Sequence, residues 1–106
     1  MADLSQEEWT KQLEADTNAV VLDVRTQDEV NLGSIPNALH IDIYKGQGFI
    51  DDINKLDKTK NYYVYCRSGT RSGQACAVMT ELGFNKAYNL IGGFSNWKGE
   101  VAFKDK

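Results

Sequence analysis

One proline, one histidine, two cysteines and two methionines are spread over 106 residues, and no apolar run is longer than a few residues. Each scarcity excludes something. A helix that spans a bilayer needs roughly 20 consecutive apolar residues, so no membrane segment is expected. Met1-Ala2-Asp3-Leu4-Ser5 has neither the basic start nor the apolar core of a signal peptide, and the expected location is the cytoplasm. Two cysteines and a histidine at unrelated spacings cannot make a four-ligand zinc site, so no metal is expected. The net charge of −3, with no face or arm that collects lysine and arginine, argues against a nucleic-acid partner. No Ser, His and Asp set is present. The one histidine, His40, has no motif around it and reads as structural or exposed. Gly92-Gly93 is too short for a phosphate loop, and nothing asks for a cofactor.

The remaining composition, 42% apolar and 25% charged, is that of a soluble globular protein. At 106 residues the chain can bury one core but not two. Residues 1–106 are therefore read as one domain, and as a monomer because no long exposed apolar patch is evident. Residues 103–106 look dispensable.

Ser5 with Glu8 is a capping box, and Leu4 can staple to Trp9, so a helix is predicted over Gln6 to Ala15. Ala19 to Val24 is a short β-branched run that fits a buried strand. Thr26 with Glu29 repeats the capping signature for a short helix stopping near Gly33. Pro36 forces an extended turn, and Ala38 to Ile43 reads as another strand. Phe49, Ile50, Ile53 and Leu56 recur at helical spacing. Tyr62 to Cys66 is a strand, Thr70 to Leu82 a long helix with Gly83 as its C-terminal stop, and Ala87 to Leu90 a last strand. A closing helix is expected from Gly92-Gly93 through Trp97. Strands alternating with helices, each apolar run short and two-sided, describe an α/β fold. The expected sheet is open, mainly parallel and four- to five-stranded, with helices on both faces.

In such a sheet, ligands sit beyond the carboxyl ends of the strands. Cys66 lies at such an end, as do Asp23, Arg25 and the Gly92-Gly93 turn. After Cys66 come Arg67, Ser68, Gly69, Thr70, Arg71 and Ser72, a short polar loop that opens the long helix. The first turn of a helix leaves its N–H groups unpaired and carries about half a positive charge. Loop amides that curl inward, as Gly69 permits, add a nest of donors. A thiol at that centre ionises more readily than a free cysteine, whose pKa is about 8.5; such sites reach roughly 3.5 to 7.5. With no general base at hand, the nucleophile has to be activated by a lowered pKa. Cys76 shares a helical face with Ser72 and Met79 and reads as core, and a Cys66–Cys76 disulfide would pull a strand end onto a helix interior. Trp9, Phe94 and Trp97 also read as core.

Three stretches together resemble the rhodanese family of sulfurtransferases. They are Val20-Val21-Leu22-Asp23-Val24-Arg25 followed by Glu29 and Gly33-Ser34-Ile35-Pro36-Asn37-Ala38, the Cys66 to Ser72 loop, and Leu90-Ile91-Gly92-Gly93-Phe94-Ser95-Asn96-Trp97. The resemblance runs from about Leu4 to Trp97. It implies a five-stranded sheet, whose extra strand is either very short near Asp3-Leu4 or absent. It also implies transfer of sulfane sulfur from a small anionic donor such as thiosulfate to cyanide or a thiol, through a persulfide on Cys66. On this reading Cys66 is the nucleophile, and the amides of Arg67, Ser68, Gly69, Thr70, Arg71 and Ser72 hold the anionic sulfur. Arg67 receives the donor at the mouth. Arg71 either does the same or braces the loop against a carboxylate such as Asp23; Asp23 and Arg25 themselves read as a structural pair at the strand end in preference to a direct role in catalysis. The chain departs from the family pattern at Ser34, where many members have histidine, and at Asn37, where glycine is common; asparagine tolerates the left-handed conformation.

Two other functions fit the pattern. A phosphatase or arsenate reductase of the same fold would place five residues between cysteine and arginine, whereas Arg71 follows Cys66 after four. A docking module would keep the fold without needing Cys66, and a carrier that passes its persulfide to a protein acceptor would use the same residues.

Overall fold

The computed structural model describes residues 2–103. Every strand pairing in its five-stranded sheet is parallel, and the order is β1-β5-β4-β2-β3. The strands are β1 (Ala2–Leu4), β2 (Ala19–Asp23), β3 (Leu39–His40), β4 (Asn61–Tyr65) and β5 (Lys86–Leu90), and the helices are α1 (Gln6–Ala15), α2 (Gln27–Asn31), α3 (Gln47–Asn54) and α4 (Thr70–Glu81). The fifth strand does exist: β1 lies on the sheet edge and is tied on by Ile91 N–H donating to the Leu4 carbonyl at 2.9 Å.

Period-two alternation along β4 divides the core. Tyr62, Val64 and Cys66 face one side, with Phe49 and Ile53 of α3 and Ala75, Cys76 and Met79 of α4. Tyr63 and Tyr65 face the other, with Trp9 of α1, Ile35 and Leu90. Both faces of a parallel sheet are thereby covered. Trp9 is wholly buried, and Phe94 and Trp97 pack against its cluster, as expected of core aromatics. Cys76 has no exposed surface and both cysteines are free.

Both expected capping boxes form, Ser5 with Glu8 and Thr26 with Glu29, and α1 has the predicted bounds. Asn37 takes the left-handed conformation at φ 66°. Two elements are shorter than their apolar patterns suggest. The strand expected over Ala38 to Ile43 is only Leu39–His40, because the Asp42 carboxylate accepts from Tyr44 N–H at 2.9 Å and turns the chain into a 3-10 helix over Ile43–Lys45. The closing helix is a single 3-10 turn, Phe94–Asn96, which ends where Trp97 becomes extended and its indole N–H donates to the Glu100 carbonyl. Ser34 forms an antiparallel bridge with Ala102. Of residues 103–106, which read as dispensable, Phe103 is exposed and 104–106 lie outside the described residues. No helix among the described residues is long and apolar enough to cross a membrane, and no group of side chains there could hold a metal ion.

Candidate active site

Cys66 is fully buried and directly follows β4, which runs Asn61–Tyr65 and so stops one residue short of the expected Tyr62 to Cys66. The chain then turns through Arg67, Ser68 and Gly69, and Gly69 takes φ 104° to begin α4. A side chain there would be strained, and its Cβ would lie 3.3 Å from the Leu90 carbonyl oxygen. This turn points the unpaired amides at the sulfur. Gly69 N–H donates to Cys66 Sγ at 3.1 Å, and Ser72 Oγ lies 3.3 Å from it. Burial pushes the Cys66 thiol up, but hydrogen bonds from the Ser72 hydroxyl and from the Ser72, Gly69 and Ser68 amides outweigh it. The net direction is down, towards the thiolate.

The remaining loop residues divide between mouth and frame. Arg67, Ser68 and Thr70 are exposed, and Ser68 and Thr70 share a hydroxyl contact of 3.5 Å. Arg67 forms no ion pair with a described residue; it lines a cleft of about 380 Å³ with Arg25, Glu29, Leu32, Phe94 and Ser95. A wider cleft of about 550 Å³ between α1 and Trp97 includes no residue of the loop. Arg71 braces the loop, but not against Asp23. Its guanidinium forms a two-pronged pair with Glu29, Nη1 to Oε1 at 2.8 Å and Nη2 to Oε2 at 3.0 Å. The buried Asp23 carboxylate is already held by Arg25 and Tyr65.

Asp23 and Arg25 are the structural pair the strand end suggested. Both are buried. Arg25 Nη2 donates to Asp23 Oδ2 at 2.8 Å and to the Gly33 carbonyl at 2.7 Å, with its guanidinium carbon 4.4 Å from the Phe94 ring centroid. Burial works against the Arg25 charge, and the Asp23 carboxylate more than restores it. Tyr65 donates its hydroxyl to Asp23 Oδ2 and accepts from Ile35 N–H at 3.0 Å. His40, read as structural or exposed, is half-buried with Nε2 2.6 Å from the Arg25 carbonyl oxygen.

Three residues hold the loop in ways that the sequence did not assign to them. Glu29 was visible as a cap, yet the same carboxylate holds Arg71, and that bond first of all brings its pKa down to about 2, against a smaller effect of burial. Asn89, buried on β5, lies within hydrogen-bond reach of Ser72 and holds Gly69, and nothing in its sequence context marks it. Gly93 reads as part of a turn. Its role is closeness: a Cβ there would lie 2.5 Å from the Cys66 carbonyl oxygen. The turn it permits lets Phe94 N–H donate to that carbonyl at 2.8 Å and Ser95 N–H to the Arg67 carbonyl at 2.9 Å.

Residues 6–100 match the family described as Rhodanese-like domain. The thiosulfate sulfurtransferase GlpE of Coxiella burnetii is 40% identical over 86 residues, covering 81% of this chain and 78% of that protein. A sulfurtransferase of Allochromatium vinosum is 38% identical over 84 residues, covering 78% and 76%. Among solved structures, a rhodanese-like domain protein from Staphylococcus aureus superposes with a TM-score of 0.84 at 29% identity, covering 99% of this chain and 100% of that one.

Proposed function

The chain belongs to the rhodanese-like domain family of sulfurtransferases, and from that premise we propose that it moves sulfane sulfur from thiosulfate or a similar small anion to a thiol or cyanide through a persulfide on Cys66. The observation that carries this reading is a buried sulfur ringed by amide and hydroxyl donors that favour its anion. The Cys66 thiolate attacks the outer sulfur of thiosulfate. The donor S–S bond breaks, sulfite leaves with the electron pair, and the new S–S bond leaves a terminal anionic sulfur on Cys66. Cyanide or a thiolate then attacks that outer sulfur and releases the Cys66 thiolate again. Atoms and electrons balance with the thiolate alone, so the cycle calls for no cofactor.

The donor amides of the loop serve the charge in both steps, since backbone N–H groups at a helix start stabilise an anion without reorganising. Arg67, exposed at the cleft and without an ion pair among the described residues, attracts the anionic donor. Arg71 held by Glu29 weighs against a phosphatase, whose arginine has to fold over a tetrahedral oxyanion. On the same reading the protein works as a cytoplasmic monomer, and its acceptor thiol is small or belongs to a protein.

Intact-protein mass after incubation with thiosulfate tests this. A gain of one sulfur, about 32 Da, that maps to Cys66, disappears with cyanide and is absent from Cys66→Ser is expected. No gain, with hydrolysis of an aryl phosphate instead, would overturn the reading.

A further inference from the structure

The Ser72 hydroxyl lies within hydrogen-bond reach of two atoms, Cys66 Sγ at 3.3 Å and Asn89 Oδ1. A hydroxyl carries one hydrogen. Which neighbour receives it follows from the other end of Asn89. The amide nitrogen of Asn89 donates to Asp3 Oδ1 at 3.0 Å and to the Gly69 carbonyl at 3.1 Å. Carboxylate and carbonyl oxygens only accept, so the amide can stand only one way round, with its oxygen towards Ser72. That oxygen has no hydrogen to offer. The Ser72 hydrogen therefore points at Asn89, and the hydrogen in the contact with sulfur comes from Cys66 S–H.

We propose that Asn89 is a positioning residue that competes with Cys66 for the single hydroxyl hydrogen of Ser72 and so sets how readily the sulfur becomes a nucleophile. In the resting thiol, Cys66 S–H donates to Ser72 Oγ and Ser72 O–H donates to Asn89 Oδ1. When the S–H bond breaks and its proton passes to water, the hydroxyl swings about Cβ–Oγ with its own O–H bond intact and donates to the sulfur anion. Asn89 Oδ1 then loses a donor in a buried place, which disfavours the ionised state. Ser72 promotes ionisation and Asn89 restrains it, through the same hydrogen.

Among the described residues, charged and titratable groups lie near Cys66 on several elements, with Tyr44 beside Arg71. On α4 these are Arg71 and Cys76, and Glu29 of α2 pairs with Arg71. On β1 Asp3 is joined to Asn89, and Asp23 and Arg25 at the end of β2 pair with each other. Arg67 adjoins Cys66 in the chain. None of these supplies a hydrogen to Ser72 Oγ or removes one, so the competition is local to Cys66, Ser72 and Asn89.

The inference rests on Cys66 being the nucleophile, and its test uses alkylation, not sulfur transfer, so either can fail alone. The pH dependence of iodoacetamide alkylation at Cys66 is measured in the native protein, Asn89→Ala, Ser72→Ala and the double variant. For a hydrogen bond of ordinary strength, Asn89→Ala lowers the apparent pKa by about 0.7 unit and Ser72→Ala raises it. In the Ser72→Ala background Asn89→Ala no longer lowers it, because no shared hydrogen is left. Loss of the Gly69 and Asp3 bonds is common to both backgrounds and cancels in the comparison. An equal shift in both backgrounds overturns the proposal. Should the Asn89 variants fail to fold, the S–H infrared band of unmodified Cys66, identified by its loss in Cys66→Ser, decides. Displacement to lower frequency relative to a free thiol supports donation to Ser72, and an undisplaced band overturns it.

Discussion

Cys66 and Cys76 share one face of the sheet and neither is exposed, yet their surroundings act on them in opposite directions. Around Cys66, donors outweigh burial; at Cys76, burial comes first, the nearby Asp3 and Cys66 charges add to it, and the thiol is pushed up to about 12. Burial alone therefore does not decide reactivity; the donors aimed at the sulfur do. Native protein treated with iodoacetamide near neutral pH should be labelled at Cys66 and spared at Cys76, as peptide mass mapping would show. Cys76→Ser should keep sulfur transfer and lower stability by about 1–3 kcal/mol in urea unfolding, because an unpartnered hydroxyl replaces an apolar group. Loss of transfer with unchanged stability would contradict its assignment to the core. The sign with pH follows. The unfolded thiol ionises near 8.5, so above that value the native state holds the extra proton, and the Cys76 contribution to stability falls as pH rises towards about 12. Cys66 was legible at this scale because its neighbours in the chain are its donors. Asn89 was not, since its partners Asp3 and Ser72 are brought to it by strand pairing and helix packing.

Two short elements do most of the work of holding the loop. In α2, Glu29 closes its own helix cap and also clamps Arg71 at the start of α4. Glu29→Gln should lower stability by about 0.5–1 kcal/mol, for a partly buried pair discounted for solvent. It should also lower the alkylation pKa of Cys66, because a negative charge near the thiolate is gone; an unchanged pH profile would show that the clamp does not reach the sulfur. Since the Glu29 pKa is depressed from 4.5 to about 2, its contribution is complete above pH 4.5 and is lost as the pH falls through about 2. The turn after β5 acts through backbone. Gly93→Ala would drive a methyl into the Cys66 and Arg67 carbonyls and place alanine at φ 57°, so a loss of roughly 2–4 kcal/mol is expected together with most of the activity. A variant with native Tm and rate would refute the close approach as a constraint. Elements bounded by local hydrogen bonds were legible. Both capping boxes formed where Ser5, Glu8, Thr26 and Glu29 predicted. The shortfalls at Leu39–His40 and Phe94–Asn96 have one origin, that an apolar pattern marks what is buried and not whether the buried backbone is strand, helix or turn.

Across the molecule, the site depends on an edge strand far from it in sequence. Among the described residues β1 pairs only with β5, and its Asp3 accepts a hydrogen bond from the Asn89 amide. Removal of residues 1–4 should lower Tm by about 5–15 °C if the strand contributes about 1–2 kcal/mol. It should also leave the β5 edge open to association, seen as a concentration-dependent size in light scattering. An unchanged Tm would mean that the edge pairing adds nothing. The amino-acid sequence by itself determined the alternation of strands and helices, the division of β4 between two faces, and the placing of Cys66 where a strand end meets a helix start. These follow from periodicity, caps and the covalent neighbourhood of Cys66, all of which act within a few residues. Only the tertiary structure decided that Arg71 pairs with Glu29 and not Asp23, that Gly93 lies against the Cys66 carbonyl, and that Asn89 shares a hydrogen with Ser72. Those contacts join segments whose meeting depends on strand order and register, and a hydrogen bond takes its partner from whatever atom the folded chain brings within about 3 Å.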